Sequence, residues 1–148
     1  MKYPELTNFI GGANKPSVGS RKLEVFSPLD GSLLSRVPLS TKDDLDAAVT
    51  AAKTAAVSWA SLPVKERVQV FFRYRNLLEK HMEELTFLVH EENGKTMDEA
   101  RAEIEKSIEL TEFACSMPQL ISGEVQEVSR GVECVINRVA VGVVASIA

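Results

Sequence analysis

The fold class that this sequence predicts is decided by one stretch, GVVASIA, which runs from Gly142 to Ala148. It is almost wholly apolar, has the length of one β-strand and lacks the alternation of a strand that faces water on one side. Strands covered on both faces belong to parallel α/β sheets, in which helices pack above and below. The stretch therefore predicts an α/β fold. It also predicts sheet neighbours that residues 1–148 do not contain.

Immediately before this stretch, the apolar residues recur with a period of two. Residues 125–128 and 132–141 flank a turn at Ser129-Arg130-Gly131. This pattern predicts a β-hairpin or two separate strands.

Three amphipathic helices are predicted further upstream. The first begins near Thr41 and ends, or gives way to the next helix, at Pro63. The second runs to a left-handed stop at Asn93-Gly94, and the third runs from Thr96 to an end or kink at Pro118. Both threonines stand three residues before an acid, which is the spacing of a capping box. The apolar residues of each segment recur at the helical period.

The first forty residues predict a hairpin preceded by a loop. Residues 11–21 are rich in Gly, Ser, Asn and Pro, and this composition is typical of a loop. Apolar runs at 23–26 and 33–37 flank a P-L-D-G turn at 28–31, which predicts a β-hairpin.

The charge and hydropathy of the chain exclude several functions. It has 17 basic and 21 acidic residues, a formal net charge of −4 and no block of like charge, so we expect neither nucleic acid nor an anionic membrane as partner. No apolar run approaches the roughly 20 residues that span a bilayer. The first residues lack the patterns of signal and transit peptides, and we therefore expect a cytoplasmic protein.

The sequence predicts no metal site and no nucleophile. Cys115 and Cys134 form no CxxC motif, and His81 and His90 lie far from possible co-ligands in the sequence. We expect two reduced, largely buried thiols. Cys115 lies in phase with a helical apolar stripe, which favours a core thiol over a reactive one.

Two lysines need a separate interpretation. Gly94-Lys95-Thr96 is similar to the end of a phosphate-binding loop, but the glycine five positions earlier is absent, which favours a helix stop. Lys106 lies among Glu103, Glu105 and Glu109, and an ion pair three residues away along the helix accounts for it without a ligand.

The chain as a whole resembles the N-terminal part of the aldehyde dehydrogenases. The resemblance rests on motifs spread along the chain in the family's order: NFIGG at 8–12, SPLDG at 27–31, VPLST at 37–41, AAV with AAK and tryptophan at 47–59, ENGKT followed by EA and E at 92–103, and arginine followed by VGVV at 138–144. The usual proline of the last motif is replaced by Ala140.

The resemblance implies an aldehyde-dehydrogenase-like N-terminal segment that is truncated. Residues 1–123 would form the N-terminal hairpin and helices of the cofactor-binding domain. Residues 124–141 would form strands of the oligomerisation arm. Residues 142–148 would be the first, incomplete strand of the dinucleotide-binding sheet. The parent protein would then be a homo-oligomer, either a dimer or a tetramer.

The resemblance also implies a mechanism. In the family a cysteine thiolate attacks the aldehyde, hydride passes to NAD, and the thioester is released to water or to coenzyme A. The catalytic residues of the family lie beyond the position that matches Ala148, so this chain would contain no catalytic residue and would be inactive alone. Ala148 and the adjoining Ile147 match positions at the nicotinamide cofactor site.

Within the family, PVKERV at 63–68, EFAC at 112–115 and the final Ile147-Ala148 resemble the methylmalonate-semialdehyde branch, which transfers the acyl group to coenzyme A. Lys106 stands where that branch usually has an arginine that recognises the substrate carboxylate, so Lys106 becomes the candidate substrate-binding residue. Succinate-semialdehyde or broad aldehyde specificity stays open. A non-catalytic helical interaction module, which is a different functional class, also stays open as an alternative.

Overall fold

Three two-stranded antiparallel sheets and six helices make up residues 1–147, which are the residues that the computed structural model describes. In chain order the elements are β1 (Asn8–Ile10), β2 (Ala13–Lys15), β3 (Lys22–Phe26), β4 (Leu33–Pro38), α1 (Lys42–Ser61), α2 (Val64–Arg67), α3 (Gln69–Lys80), α4 (Met82–Asn93), α5 (Met97–Cys115), α6 (Met117–Leu120), β5 (Glu124–Ser129) and β6 (Val132–Ile136).

The first two sheets are hairpins, of which the sequence predicted only one. Strands β3 and β4 pair as predicted, with Leu23 opposite Val37 and a bulge at Val25/Phe26. The prediction of a loop over residues 11–21 was wrong for Ala13–Lys15, because β2 pairs with β1, whereas residues 16–21 form neither helix nor strand. Gly11 and Gly12 both have positive φ, of 65° and 80°. Two-residue hairpin turns of the primed type require such angles, and glycine adopts them without strain.

The predicted starts of α1 and α5 are confirmed. Each helix begins after a threonine whose side chain accepts a hydrogen bond from the backbone N–H of the third helical residue, and the carboxylate of that residue accepts one from the threonine backbone N–H. The predicted stop at Gly94 is also confirmed, with φ of 70°. These caps satisfy backbone groups that a helix end would otherwise leave without partners.

The single long second helix that the sequence predicted is divided into α2, α3 and α4. The breaks fall at Val68 and at His81, where φ is −105° and ψ is 17°. No proline or glycine causes them. The bend at His81 allows α3 and α4 to pack on the same partner, α5. Tertiary packing therefore overrides an apolar pattern that runs through both helices without interruption.

The core of the described residues lies between these three helices. Leu78, Ile104 and Ile108 form a buried cluster, and partly buried side chains of α4 pack against it, namely Met82, Leu85 and Val89. Ala100, also on α5, is fully buried. Pro118 is the second residue of α6, so the predicted end of the third helix is confirmed.

The last part of the chain differs from the prediction. Strands β5 and β6 form the predicted hairpin around Gly131, but β6 ends at Ile136 and residues 137–147 have neither helix nor strand. The strand predicted over 142–148 is not formed over 142–147, because a strand needs a neighbouring backbone to pair with and no strand within residues 1–147 pairs with this segment. Val144 is 75% exposed and Ile147 fully so. Assignment of this segment to a dinucleotide-binding sheet stays a prediction, as do the predicted domain boundaries.

Candidate functional site

The candidate site is an open groove between α1 and the irregular segment that follows β6, and we call it the α1 groove. It has a volume of about 810 Å3, and its lining residues are Leu45, Ala48, Val49, Ala52, Lys53, Ala56 and residues 141–146. Half of its residues from α1 are alanines at helical spacing, which permit close approach of another backbone. Lys53 is the one charged residue of the lining.

Helix α1 is held in place by a network around Asp44, a buried carboxylate. Ser17 Oγ donates to Asp44 Oδ2 over 2.7 Å, and the backbone N–H of Val18 donates to Oδ1 over 3.1 Å. The backbone and hydroxyl of Thr41 donate to the same carboxylate. The Ser17 bond, followed by that of the Thr41 backbone, lowers the pKa of Asp44 to about 2. Sequence spacing predicted the Thr41 contact, but not the contacts from residues 17 and 18.

The two predicted cofactor-binding residues lie at the very end of the chain. Ile147 follows the residues that line the α1 groove, and its side chain is fully exposed. Ala148 lies outside the described residues. The structure therefore places Ile147 next to the groove without giving its side chain a contact.

Lys106, the predicted substrate-binding residue, lies on α5 and forms an ion pair with Glu109, three positions further along the same helix. The Lys106 side chain is 62% exposed. It is not among the residues that line the α1 groove. This pairing is the one that the sequence predicted as the simpler account of Lys106. The structure does not bring Lys106 and the groove together in one site.

The two cysteines differ in exposure. Cys115 is half-buried at the end of α5, whereas Cys134 is exposed on β6. The prediction that both are largely buried was wrong for Cys134, because every residue of the two strands of its hairpin is exposed. Over the same residues, no group of three or more His, Cys, Asp or Glu side chains has the arrangement of a metal site. None of the helices described is both long and apolar enough to cross a membrane.

One buried polar cluster was missed by the sequence analysis. Glu91, near the end of α4, forms an ion pair with Lys2 and accepts a hydrogen bond from Tyr3 Oη over 2.6 Å. Lys2, and then Tyr3, lower the pKa of Glu91, and the bond to Glu91 raises the pKa of Tyr3. Ser27 Oγ also donates to the Glu91 carbonyl over 3.0 Å. No spacing rule signals a contact between residues so far apart in the chain.

The same N-terminal residues run along the edge of β4. Tyr3 N–H donates to the Leu34 carbonyl over 2.8 Å, and Leu6 N–H donates to the Arg36 carbonyl over 2.9 Å. Ser35 Oγ donates to the Pro4 carbonyl over 2.6 Å. These bonds and the Glu91 cluster fix the hairpin and α4 as one scaffold.

Comparison with known proteins identifies the family to which this chain belongs. The sequence profile of the aldehyde dehydrogenase family matches residues 15–148. The chain therefore belongs to the aldehyde dehydrogenase family, as the motif resemblance predicted.

Several of the similar proteins are semialdehyde dehydrogenases. Malonate-semialdehyde dehydrogenase 1 of Geobacillus kaustophilus is 44% identical over 143 residues, which cover 96% of this chain. A methylmalonate-semialdehyde dehydrogenase structure from Oceanimonas doudoroffii aligns with a TM-score of 0.84 and 31% identity over 88% of this chain. A Sinorhizobium meliloti protein assigned to the same activity and solved with NAD aligns with a TM-score of 0.84 and 34% identity over 90% of this chain.

The alignments are confined to one end of these proteins. The chain spans 29% of the length of the Geobacillus relative and 27% of each of the two solved chains.

Proposed function

We propose that this chain is the N-terminal part of an NAD-dependent enzyme that oxidises a short carboxylated semialdehyde, malonate or methylmalonate semialdehyde, and transfers the acyl group to coenzyme A. The observation that carries the proposal is the 44% identity to a malonate-semialdehyde dehydrogenase across nearly the whole chain. Two structural neighbours with methylmalonate-semialdehyde activity in their names support it. Coenzyme A as acceptor and a cytoplasmic location stay predictions.

The residues described here do not by themselves fit a dinucleotide. The α1 groove holds a single cation, Lys53, and no glycine-rich turn that could receive a diphosphate. NAD would supply hydride acceptance to the proposed enzyme when bound. We propose that Ile147 and Ala148 contribute only one wall of the nicotinamide site. The remaining walls would come from polypeptide that this chain does not contain.

Lys106 is proposed to attract the substrate carboxylate. Its ammonium group is a charge on a flexible stem, and its present partner, Glu109, is itself well exposed. A surface ion pair of this kind is worth little, so a carboxylated substrate can replace Glu109 at small cost. Lysine supplies charge without the planar fork of arginine, which favours attraction over strict orientation.

We also propose that the parent enzyme is a homo-oligomer and that the β5–β6 hairpin takes part in its assembly. All residues of both strands are exposed, including several valines and an isoleucine. An exposed two-stranded ribbon is only marginally stable alone and offers unpaired edges to another sheet.

The proposed activity is testable with a chimera. In it, this chain replaces the matching 143 residues of the Geobacillus kaustophilus enzyme. With NAD, coenzyme A and malonate or methylmalonate semialdehyde, we expect the folded chimera to produce NADH, and the 148-residue chain alone to produce none. Succinate semialdehyde and an uncharged aldehyde test the alternative specificities. Turnover by the chain alone, or a folded chimera inactive on every semialdehyde, would contradict the proposal.

A further inference from the structure

Arg67 has a buried nitrogen without a partner. It is half-buried at the end of α2. Its Nε–H is enclosed and finds no hydrogen-bond acceptor among residues 1–147. The other half-buried arginines of the described chain, Arg36, Arg75 and Arg101, each form an ion pair with a glutamate. A buried donor without an acceptor is costly, so Arg67 differs from these three arginines.

The surroundings of Arg67 form a small cleft, which we call the Arg67 cleft. It has a volume of about 180 Å3, and its other walls include Trp59 from α1, Phe71 from α3, and Met117 and Ile121 from around α6. These walls are apolar, and the guanidinium is the one charged group among the lining residues. Because apolar walls exclude water, the attraction between this cation and an anion is stronger there than at the open surface.

We infer that the Arg67 cleft binds a carboxylate attached to a short apolar group. A carboxylate accepts two parallel hydrogen bonds from the terminal nitrogens of a guanidinium, and it would balance the one charge among the residues that line the cleft. A single cation balances a carboxylate better than it balances a phosphate dianion. The aromatic walls suit an apolar tail. The carboxylate belongs either to a free small molecule or to a Glu or Asp side chain of another polypeptide segment.

Trp59 provides the measurement, because it is the only tryptophan of the chain and forms a wall of the cleft. We expect propionate to change Trp59 emission of the 148-residue chain in a saturable way, and the neutral isostere propionamide to leave it unchanged. A second arm uses an acetylated and amidated pentapeptide with one central Glu, with the Gln peptide as its control. The response of one arm, or of both, identifies the source of the carboxylate.

The variants decide whether Arg67 is responsible. Arg67→Met should weaken propionate or peptide binding about tenfold or more, as expected for loss of a charged hydrogen-bond partner. Arg73→Met removes an exposed arginine from neighbouring α3 and should bind like the wild type. Should Arg67→Met fail to fold by circular dichroism, Arg67→Lys carries the test, because it keeps the charge and loses the fork. No saturable response in either arm would overturn the inference, as would an equal response in the Arg67 variants or displacement by equimolar chloride.

Discussion

Tyr3 Oη donates a hydrogen bond to Glu91 Oε2 over 2.6 Å, which joins the first residues of the chain to the end of α4 across 88 positions. Lys2 pairs with the other oxygen of the same carboxylate, and its ammonium lies 5.1 Å from the centre of the Phe87 ring. The N-terminal residues are therefore held by side chains as well as by the β4 edge. This attachment should contribute measurably to the melting temperature of the chain.

Glu91→Gln should lower the melting temperature by roughly 2–6 °C, because the amide loses the ion pair with Lys2 and weakens the bond from Tyr3. The matched control is Glu92→Gln, an exposed neighbour that carries the same change of charge. Scanning calorimetry of both variants measures the difference. Equal melting temperatures for the two variants would show that the Lys2–Tyr3–Glu91 cluster contributes nothing to stability.

The same cluster predicts a direction of pH dependence. The folded-state pKa of Glu91 is lowered, mainly by Lys2. The stabilisation is therefore complete above the ordinary glutamate pKa and is lost as pH falls through the lower folded-state value. Wild type should lose its advantage over Glu91→Gln as pH falls from neutral through and below the ordinary glutamate pKa of about 4.3. A difference in urea midpoint that stays constant over this range would contradict the assignment.

Asp44 should show a similar dependence displaced to lower pH. Its pKa of about 2 in the folded chain lies below the ordinary aspartate value, chiefly because Ser17 donates to the carboxylate. The stability that it confers is present above the ordinary value and is lost as pH falls toward 2. Asp44→Asn should thus be destabilising at pH 7 and nearly neutral at pH 2. Asp43→Asn, exposed in the same helical turn, separates this effect from that of charge at the helix start.

The cap of α5 gives a stability prediction of defined size. Thr96→Ala removes the side chain that accepts from the Glu99 backbone, and loss of such an N-cap costs about 1 kcal/mol. Ser107→Ala, within the same helix, is the control. It removes only a bond to the Glu103 carbonyl, and should change stability by less than about 0.5 kcal/mol. Equilibrium unfolding in urea compares the two, and equal costs would contradict the role assigned to the cap.

Truncation in the core should cost more than truncation at the surface of the same helix. Ile104 is buried against Leu78 between α3, α4 and α5, and Ile104→Ala should cost about 2–4 kcal/mol through lost burial and the cavity left behind. Leu110 on α5 is 62% exposed, and Leu110→Ala should cost less than about 1 kcal/mol. A larger loss of unfolding free energy for Leu110→Ala than for Ile104→Ala, measured in urea, would contradict this assignment of the core.

Lys106 can be tested in the active chimera. If its ammonium attracts the substrate carboxylate, Lys106→Ala should raise KM for malonate semialdehyde about tenfold or more and leave an uncharged aldehyde unaffected. Lys80→Ala removes an exposed charge from the last turn of α3 and serves as the control. An equal effect on both substrates would contradict the substrate-binding role and leave Lys106 with only its ion pair to Glu109.

The sequence by itself determined the local elements. Both capping boxes, the Gly94 stop, the P-L-D-G hairpin and the hairpin around Gly131 were predicted because each depends on neighbouring residues alone. Motif order likewise identified the family. Strand β2 was missed because composition suggested a loop, although the Gly11-Gly12 pair is a turn signal in its own right.

Only the tertiary structure decided the rest. The bend at His81 results from packing of α3 and α4 on α5, and Glu91 and Asp44 acquire partners from residues distant in the chain. Neither has a signature in local spacing, because the contacts exist only after the chain has folded. Residues 142–147 show the converse. Their apolar pattern specifies a buried strand, but a strand forms only where another backbone pairs with it, and no strand within residues 1–147 pairs with this segment.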